Sequence, residues 1–249
     1  MREEKLREFF KNKGLNPFIK IFDVVGSTND EAKKLCLGFG GEGIIIADGQ
    51  TSGRGRQGHT FYSPSKKGLY FTIILRPHTS LPESTPLTAA AALAVVEALE
   101  EAHIKNAAIK WVNDIFIGNR KICGILAESV FVGGEYKAAI VGIGINITTE
   151  KFPDEIKDVA GSIGKDIDKD ALAAEIFIKL KSFSDALPDR SFMKKYAEKC
   201  FILGRKITFS RGGKVYEAIA ESIDENGALI VSTSDGKMTL QSGEISIKF

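Results

Sequence analysis

The stretch Gly53-Arg54-Gly55-Arg56-Gln57-Gly58 sets two guanidinium groups and an amide on a backbone with few Cβ atoms to obstruct it. Glycines let a backbone approach a ligand closely, and guanidinium forks match carboxylate and phosphate oxygens, so the chemistry on offer is the gripping of an anion. The three glycines also spell the G-x-G-x-x-G of dinucleotide folds, but the context is wrong. His59-Thr60-Phe61-Tyr62-Ser63-Pro64 does not start a helix, and no acid lies between Gly58 and Pro82 to hold a ribose. No Gly-Lys-Ser/Thr ends the stretch as a Walker loop requires. An anionic-ligand loop remains, with a disordered surface loop as the plain alternative.

A second constellation is Lys110-Trp111-Val112-Asn113-Asp114 with Arg120-Lys121-Ile122-Cys123-Gly124-Ile125-Leu126-Ala127-Glu128, joined by the hairpin signal Gly118-Asn119. Basic residues and an acid on neighbouring strands start from fixed origins, which suits holding a carboxylate or phosphate where charge develops. The plain alternative is an exposed face, with Trp111 and the aliphatic residues as core, and for Trp111 core is the better reading. Third, Gly142-Ile143-Gly144-Ile145-Asn146 puts glycines inside a strand, which marks close approach of a ligand or another backbone, with Asn146 placed to read a base edge. Cys123 lies two residues after Lys121, a spacing that shares a strand face and admits a thioester mechanism, although a cysteine in an apolar strand is more often core. His59, His78 and His103 are too scattered for a metal site.

Taken in order, these segments resemble the biotin protein ligases. The matching elements are Ser27-Thr28-Asn29, Gln50-Thr51-x-Gly53-Arg54-Gly55-Arg56, Phe61-Tyr62-Ser63-Pro64, Lys110-Trp111-x-Asn113-Asp114, Arg120-Lys121-x-x-Gly124-Ile125-Leu126-x-Glu128 and Gly142-x-Gly144-Ile145-Asn146. The resemblance runs from about residue 22 to the C-terminus. It implies a sheet fold related to class II aminoacyl-tRNA synthetases, with a small C-terminal SH3-like β-barrel. It also implies a two-step reaction in which biotin and ATP form biotinyl-5′-AMP and a lysine of a biotin carboxyl carrier domain, such as that of acetyl-CoA carboxylase, takes the biotin. Carried over by position, Ser27, Thr28, Asn29, Gln50, Gly53, Arg54, Lys121 and Gly124 bind biotin. Arg54, Arg56, Lys110, Trp111, Asn113, Asp114, Gly142 and Asn146 surround ATP and the adenylate. Lys121, Arg56 and Arg54 are the catalytic cations, Asp114 the candidate Mg²⁺ ligand, and a homodimer is implied. The family's usual proline is Val112 here, its tryptophan before the Phe-Ser-Pro-like element is Phe61, and its arginine or leucine after Arg56 is Gln57. The alternatives are a lipoate or octanoyl enzyme of related fold, and a non-catalytic biotin-responsive regulator. Some relatives carry an N-terminal winged helix, but only about 20 residues precede the motifs here, so no nucleic-acid partner is expected.

The elements that must hold these residues read as an α+β fold. Leu6, Phe9 and Phe10 at helical spacing before Gly14 predict a short first helix; a strand over 18–25 follows, then a helix to about Leu37 whose Thr28 and Glu31 match a capping box. Apolar runs over 43–47 and 68–75 predict buried strands, and Thr85-Pro86 opens an alanine-rich helix to about Ala102. Strands over 108–112, 114–117, 121–131 and 135–147 predict an antiparallel meander, and helices over 170–187 and 191–200 close a catalytic domain of residues 1–200. From 201 to 249, strands over 206–210, 214–222, 228–233 and 237–249 predict the separate barrel. At 249 residues, 43% hydrophobic and +2 in net charge, the chain has core enough for this and no run of like charge for a membrane or nucleic acid. Cys36, Cys123 and Cys200 form no C-x-x-C pair, which predicts reduced thiols and a cytoplasmic protein, and no apolar run nears the roughly 20 residues of a spanning helix.

Overall fold

The structure, a computed structural model, describes residues 2–76, 84–187 and 189–247. His78 and the last two residues of the predicted closing strand lie outside them. The chain runs α1 (Arg2–Lys11), β1 (Phe18–Val25), α2 (Thr28–Leu35), β2 (Gly43–Gln50), β3 (Gly68–Leu75), α3 (Ser84–Glu101), β4 (Ala107–Lys110), β5 (Asp114–Ile117), β6 (Arg120–Val132), β7 (Glu135–Asn146), α4 (Lys169–Asp185) and α5 (Phe192–Glu198). Five short strands follow: β8 (Lys206–Arg211), β9 (Lys214–Ile223), β10 (Leu229–Thr233), β11 (Gly236–Leu240) and β12 (Ile245–Ile247).

The seven longer strands form one sheet in the order β1-β2-β3-β7-β6-β5-β4, with β1 and β2 parallel and every other pair antiparallel. The expected α+β class and the meander from β4 to β7 are both present. Every residue of β3 is buried, because the sheet is covered on both faces. Strand alternation divides the apolar residues. Ile44, Ile46, Leu69, Phe71 and Ile73 join one cluster with Leu6 and Phe10 of α1, the alanine-rich α3, and Phe177 of α4. Ile45, Ile74 and Ile140 point the other way, under Ala32 of α2 and Cys36. Thr72 shares that second face, and so places a hydroxyl beneath the start of α2.

Three expectations need correction. The C-terminal strands form an open antiparallel sheet, order β11-β10-β9-β8-β12, and among the described residues no pairing closes it into a barrel. Closure needs the two edge strands to meet with matched tilt and stagger, and the described parts of β11 and β12 do not pair. This sheet is not packed apart from the rest: Ile207, Phe209, Leu229 and Val231 belong to the same apolar cluster as α3 and α5. Second, the capping box does not form. Ser27 occupies the N-cap with extended backbone and no side-chain cap bond, and the Thr28 hydroxyl is engaged elsewhere. Third, β4 stops at Lys110; Trp111 to Asn113 form a turn in which the Trp111–Val112 peptide is cis.

The packing of α1 depends on Phe10, whose ring meets Phe177 edge-on at 4.9 Å between centroids. Truncation there leaves a cavity among residues that cannot collapse into it. Phe10→Ala is expected to cost about 3–5 kcal/mol of stability, read as a lower urea midpoint at unchanged slope.

Candidate active site

The face of the sheet under α2 carries four glycines along a stretch where three strands meet, with Tyr70 and Thr72 the β3 side chains between them. Gly68, Gly124, Gly142 and Gly144 take adjoining register positions: Gly144 pairs with Tyr70 on one side and Gly124 on the other, Gly142 with Thr72 and Leu126, and Gly68 with Asn146. The result is a trough. A Cβ on Gly142 would lie 2.1 Å from Asn29 Oδ1, one on Gly144 2.5 Å from the Phe61 ring, and one on Gly124 3.2 Å from the same ring. The glycines of β7 mark a close approach, as expected, but what approaches is Asn29 and Phe61. Gly142 therefore lies at the Asn29 end of the trough, ~13 Å along β7 from Asn146, and not with the residues assigned to the nucleotide.

One end of the trough is polar and largely uncharged. Gln50 Oε1 accepts from Thr28 N–H at 2.8 Å and lies 3.1 Å from the Thr28 hydroxyl, while Gln50 Nε2 donates to Ser63 Oγ at 2.9 Å. Thr72 Oγ1 stands 2.7 Å from Asn29 Oδ1 and 2.8 Å from Thr28 Oγ1. Asn29 Oδ1 can only accept, so the single Thr72 proton belongs there. Ser27, Thr28, Asn29, Ser63 and Thr72 are all buried. Gly53 is pressed against this group, a Cβ on it meeting Phe61 O at 2.4 Å and Ser63 Oγ at 2.7 Å.

The other end carries charge. Lys121 Nζ lies 2.7 Å from Asp114 Oδ1, and Arg56 Nη1 donates to Asn113 Oδ1 at 3.0 Å. Asn113 is held in turn by Ile125, whose carbonyl accepts from Nδ2 at 2.9 Å. Lys110 pairs directly with Asp114 across β4 and β5, and burial pushes its ammonium below the usual lysine range. Asn146 donates from Nδ2 to Gly161 O, but its buried Oδ1 finds no donor among the described residues. A buried acceptor left open is costly to keep, and here it suits a donor supplied by a ligand.

The Gly53–Gly58 loop is ordered: Arg54 bridges to Thr60, Gly55 N–H donates to His59 O, and Phe61 N–H to Gly53 O. Gln57 sits exposed at its tip with φ 51. Arg56 belongs to the charged end, whereas Arg54 turns to the polar end, where Nη1 donates to Asp30 Oδ1 at 2.7 Å and Nη2 lies 3.2 Å from Glu128 Oε1. The hydrogen bond to Asp30, followed by the charge of Glu128, holds its guanidinium above the ordinary arginine value.

Two expected neighbours are not in the trough. Trp111 is buried and its Nε1–H donates to Gly227 O at 2.9 Å, so it fastens the C-terminal sheet and borders a cavity of about 450 Å³ shared with Phe209, Arg211 and Glu244. Cys123 does not share a face with Lys121. The register slips between Ile115 and Phe116, leaving Ile122 as an extra residue, and this bulge turns Lys121 toward Gly124 while Ile122 and Cys123 are both buried. Burial raises the Cys123 thiol far above the thiolate-forming range. No three His, Cys, Asp or Glu side chains gather at metal-binding spacing among the described residues, and Asp114 is already paired with Lys121. Sequence reasoning gave no role to Thr72, Ser63, Asp30 or Glu128. Ser63 and Glu128 do stand in the matched motifs, and Thr72 is the single threonine in a buried strand of glycine, aliphatic and aromatic residues.

Because Asn29 fills the space above Gly142, Gly142→Ala must push α2 outward or bend β7. It is expected to cost about 1–3 kcal/mol in urea unfolding. An unchanged midpoint would mean that Asn29 leaves the trough freely.

Comparison with known proteins agrees with this geometry. Residues 22–146 match the Biotin/lipoate A/B protein ligase family, and residues 202–248 the Biotin protein ligase C terminal domain. The bifunctional ligase/repressor BirA of Bacillus subtilis is 31% identical over 260 residues, covering 99% of this chain and 79% of the relative. The biotin–[acetyl-CoA-carboxylase] ligase of Paracoccus denitrificans is 30% identical over 231 residues, 88% of this chain and 96% of the relative. The structure of the biotin protein ligase from Aquifex aeolicus in complex with biotin and ATP superposes with a TM-score of 0.79 at 28% identity, covering 93% of this chain and 98% of that one. With a glycine trough that is neutral at one end and cationic at the other, and both domain models matched, this chain belongs to the biotin/lipoate A/B protein ligase family.

Proposed function

We propose that this protein is a biotin protein ligase that uses ATP to attach biotin to a lysine of a biotin carboxyl carrier domain through biotinyl-5′-AMP. The observation that carries the reading is the division of one trough into a neutral polar half and a half bearing Arg56 and Lys121. Biotin has a neutral ureido ring at one end and a carboxylate at the other. Ser27, Thr28, Asn29 and Gln50 would bind the ring, with Gly53 and Gly124 providing close backbone approach.

In the first step the biotin carboxylate attacks the α-phosphorus of ATP, the mixed anhydride forms and diphosphate leaves. Two anions must meet, so cations held in place before the reaction lower its barrier. Arg56 is directed by Asn113, and Lys121 is held ready by Asp114. Lys110 adds positive potential beside them, and Asn146 offers its open carbonyl to a donor such as the exocyclic amine of adenine. Mg²⁺ belongs to this scheme as part of the ATP substrate, since Mg²⁺ keeps most of its waters and binds chiefly through phosphates. In the second step the neutral amine of the carrier lysine attacks the carbonyl, an amide forms and AMP leaves. A thioester route through Cys123 has no geometry to support it, given the bulge and the burial.

For assembly we propose a homodimer through the outer edge of β1. That edge is half-exposed and has no partner strand among the described residues, whereas the outer edge of β4 is taken by residues 199–201. We further read the chain as a catalytic domain to residue 200 followed by a C-terminal domain. A cytoplasmic location fits three free buried cysteines. No helix among the described residues is long and apolar enough to cross a membrane.

Lys121→Ala is expected to lower biotin-dependent ATP–pyrophosphate exchange by about 10²–10³-fold; near-normal exchange would remove Lys121 from the reaction. Arg56→Gly is expected to release the adenylate, so that lysines of unrelated proteins become biotinylated. Labelling that stays confined to the carrier domain would contradict this.

A further inference from the structure

We infer that Glu128 is a positioning residue for the ligase reaction: its carboxylate orients Arg54 and fixes the direction of the hydrogen bonds at the biotin end of the trough. The inference rests on the biotin-ligase reading of this site.

Glu128 lies on β6 opposite Ile140 of β7, next to the apolar patch under α2, with 19% of its side chain exposed. A carboxylate so placed needs partners, and three groups from two other elements supply them. Oε2 accepts from Asn29 Nδ2 at 2.8 Å, and Oε1 accepts from Lys33 Nζ at 2.7 Å and lies 3.2 Å from Arg54 Nη2. Asp30 takes the other terminal nitrogen of Arg54.

The first consequence is polarity. An ionised carboxylate only accepts, so it admits the Asn29 amide in one orientation, Nδ2 toward Glu128 and Oδ1 toward Thr72. That acceptor claims the Thr72 proton, which leaves the Thr72 oxygen to accept from the Thr28 hydroxyl, while Gln50 is oriented separately, its Oε1 accepting from the Thr28 N–H and its Nε2 donating to Ser63. A pocket for a ureido group must present donors to its carbonyl and acceptors to its N–H groups, so the direction of this chain determines recognition. The second consequence is orientation. Arg54 is long, rises from a glycine-rich loop and is 43% exposed, so its ion pairs add little to stability. Two carboxylates on separate elements do restrict its guanidinium plane before a ligand arrives, and restricting a flexible group in advance strengthens binding.

The test is a double-mutant cycle between Glu128→Gln and Arg54→Ala, read as KM for biotin and kcat in biotin-dependent pyrophosphate exchange. Circular dichroism confirms folding of each variant. Glu128→Gln is expected to raise KM for biotin about tenfold with little change in kcat or in KM for ATP, because binding is lost and chemistry is not. If Glu128 acts through Arg54, the double variant has a KM well below the product of the two single effects. Fully multiplicative effects, or equal falls in kcat and in both KM values, would mean a merely structural carboxylate and would overturn the inference. Should Glu128→Gln fail to fold, Asp30→Asn takes its place. It loosens the same guanidinium from an exposed position, and an unchanged biotin KM in that variant also overturns the inference. Absence of biotin-dependent exchange in the unmodified enzyme would instead refute the ligase reading itself, which separates the two failures.

Discussion

A buried β-sheet normally presents a closed layer of side chains, and a ligand can reach its backbone only where those side chains are absent. Gly68, Gly124, Gly142 and Gly144 provide that absence at adjoining positions on β3, β6 and β7. Asn29 and Phe61 descend into the space, and the Gly53–Gly58 loop and the start of α2 are set by where those two side chains rest. The strand interior gives up propensity and side-chain packing for this. The compensation lies on the opposite face, where Leu69, Phe71, Ile73, Val141, Ile143 and Ile145 pack against α3 and α4.

Charge is distributed along the trough in the same economical way. Before any ligand arrives, each main cation is engaged with a side chain of the chain itself: Lys121 with Asp114, Arg56 with Asn113, Arg54 with Asp30 and Glu128. Such pairs keep like charges from repelling in a half-buried space and hold long side chains near their working positions. Lys110 is the exception in degree, since burial outweighs the charge of Asp114 and its ammonium gives up its proton more readily than an ordinary lysine.

The Trp111 to Asp114 segment ties site to scaffold. Trp111 fastens to Gly227 in the C-terminal sheet, the Val112 carbonyl accepts from the buried Tyr196 hydroxyl, Asn113 meets Arg56, and Asp114 meets Lys121. Four successive residues thus contact four separate parts of the molecule. Phe61 and Val112, where the family usually has tryptophan and proline, are both accommodated: Phe61 lies over the trough and Val112 is buried.

Local pattern sufficed for much of this. The period-two and helical spacings, Gly118-Asn119 and the alanine-rich helix were enough for the elements and their meander, because period and turn chemistry are properties of neighbours in sequence. The resemblance, carried by motifs of adjacent residues, named the family. Other features depend on residues distant in the chain. Thr28 reads as a cap, yet Gln50 and Thr72 compete for its hydroxyl once β2 and β3 lie beneath it. Lys121 and Cys123 read as sharing a face until β5 imposes a bulge on β6. The C-terminal strands read as a barrel, but hydrogen bonding between edges decides closure. Glu128 stands in a matched motif without a role until β6 brings it to Asn29, Lys33 and Arg54. Sequence by itself determined which residue types stood ready for anion chemistry; the tertiary structure decided which of them share a face, because register and burial are set by strands that are neighbours only in space.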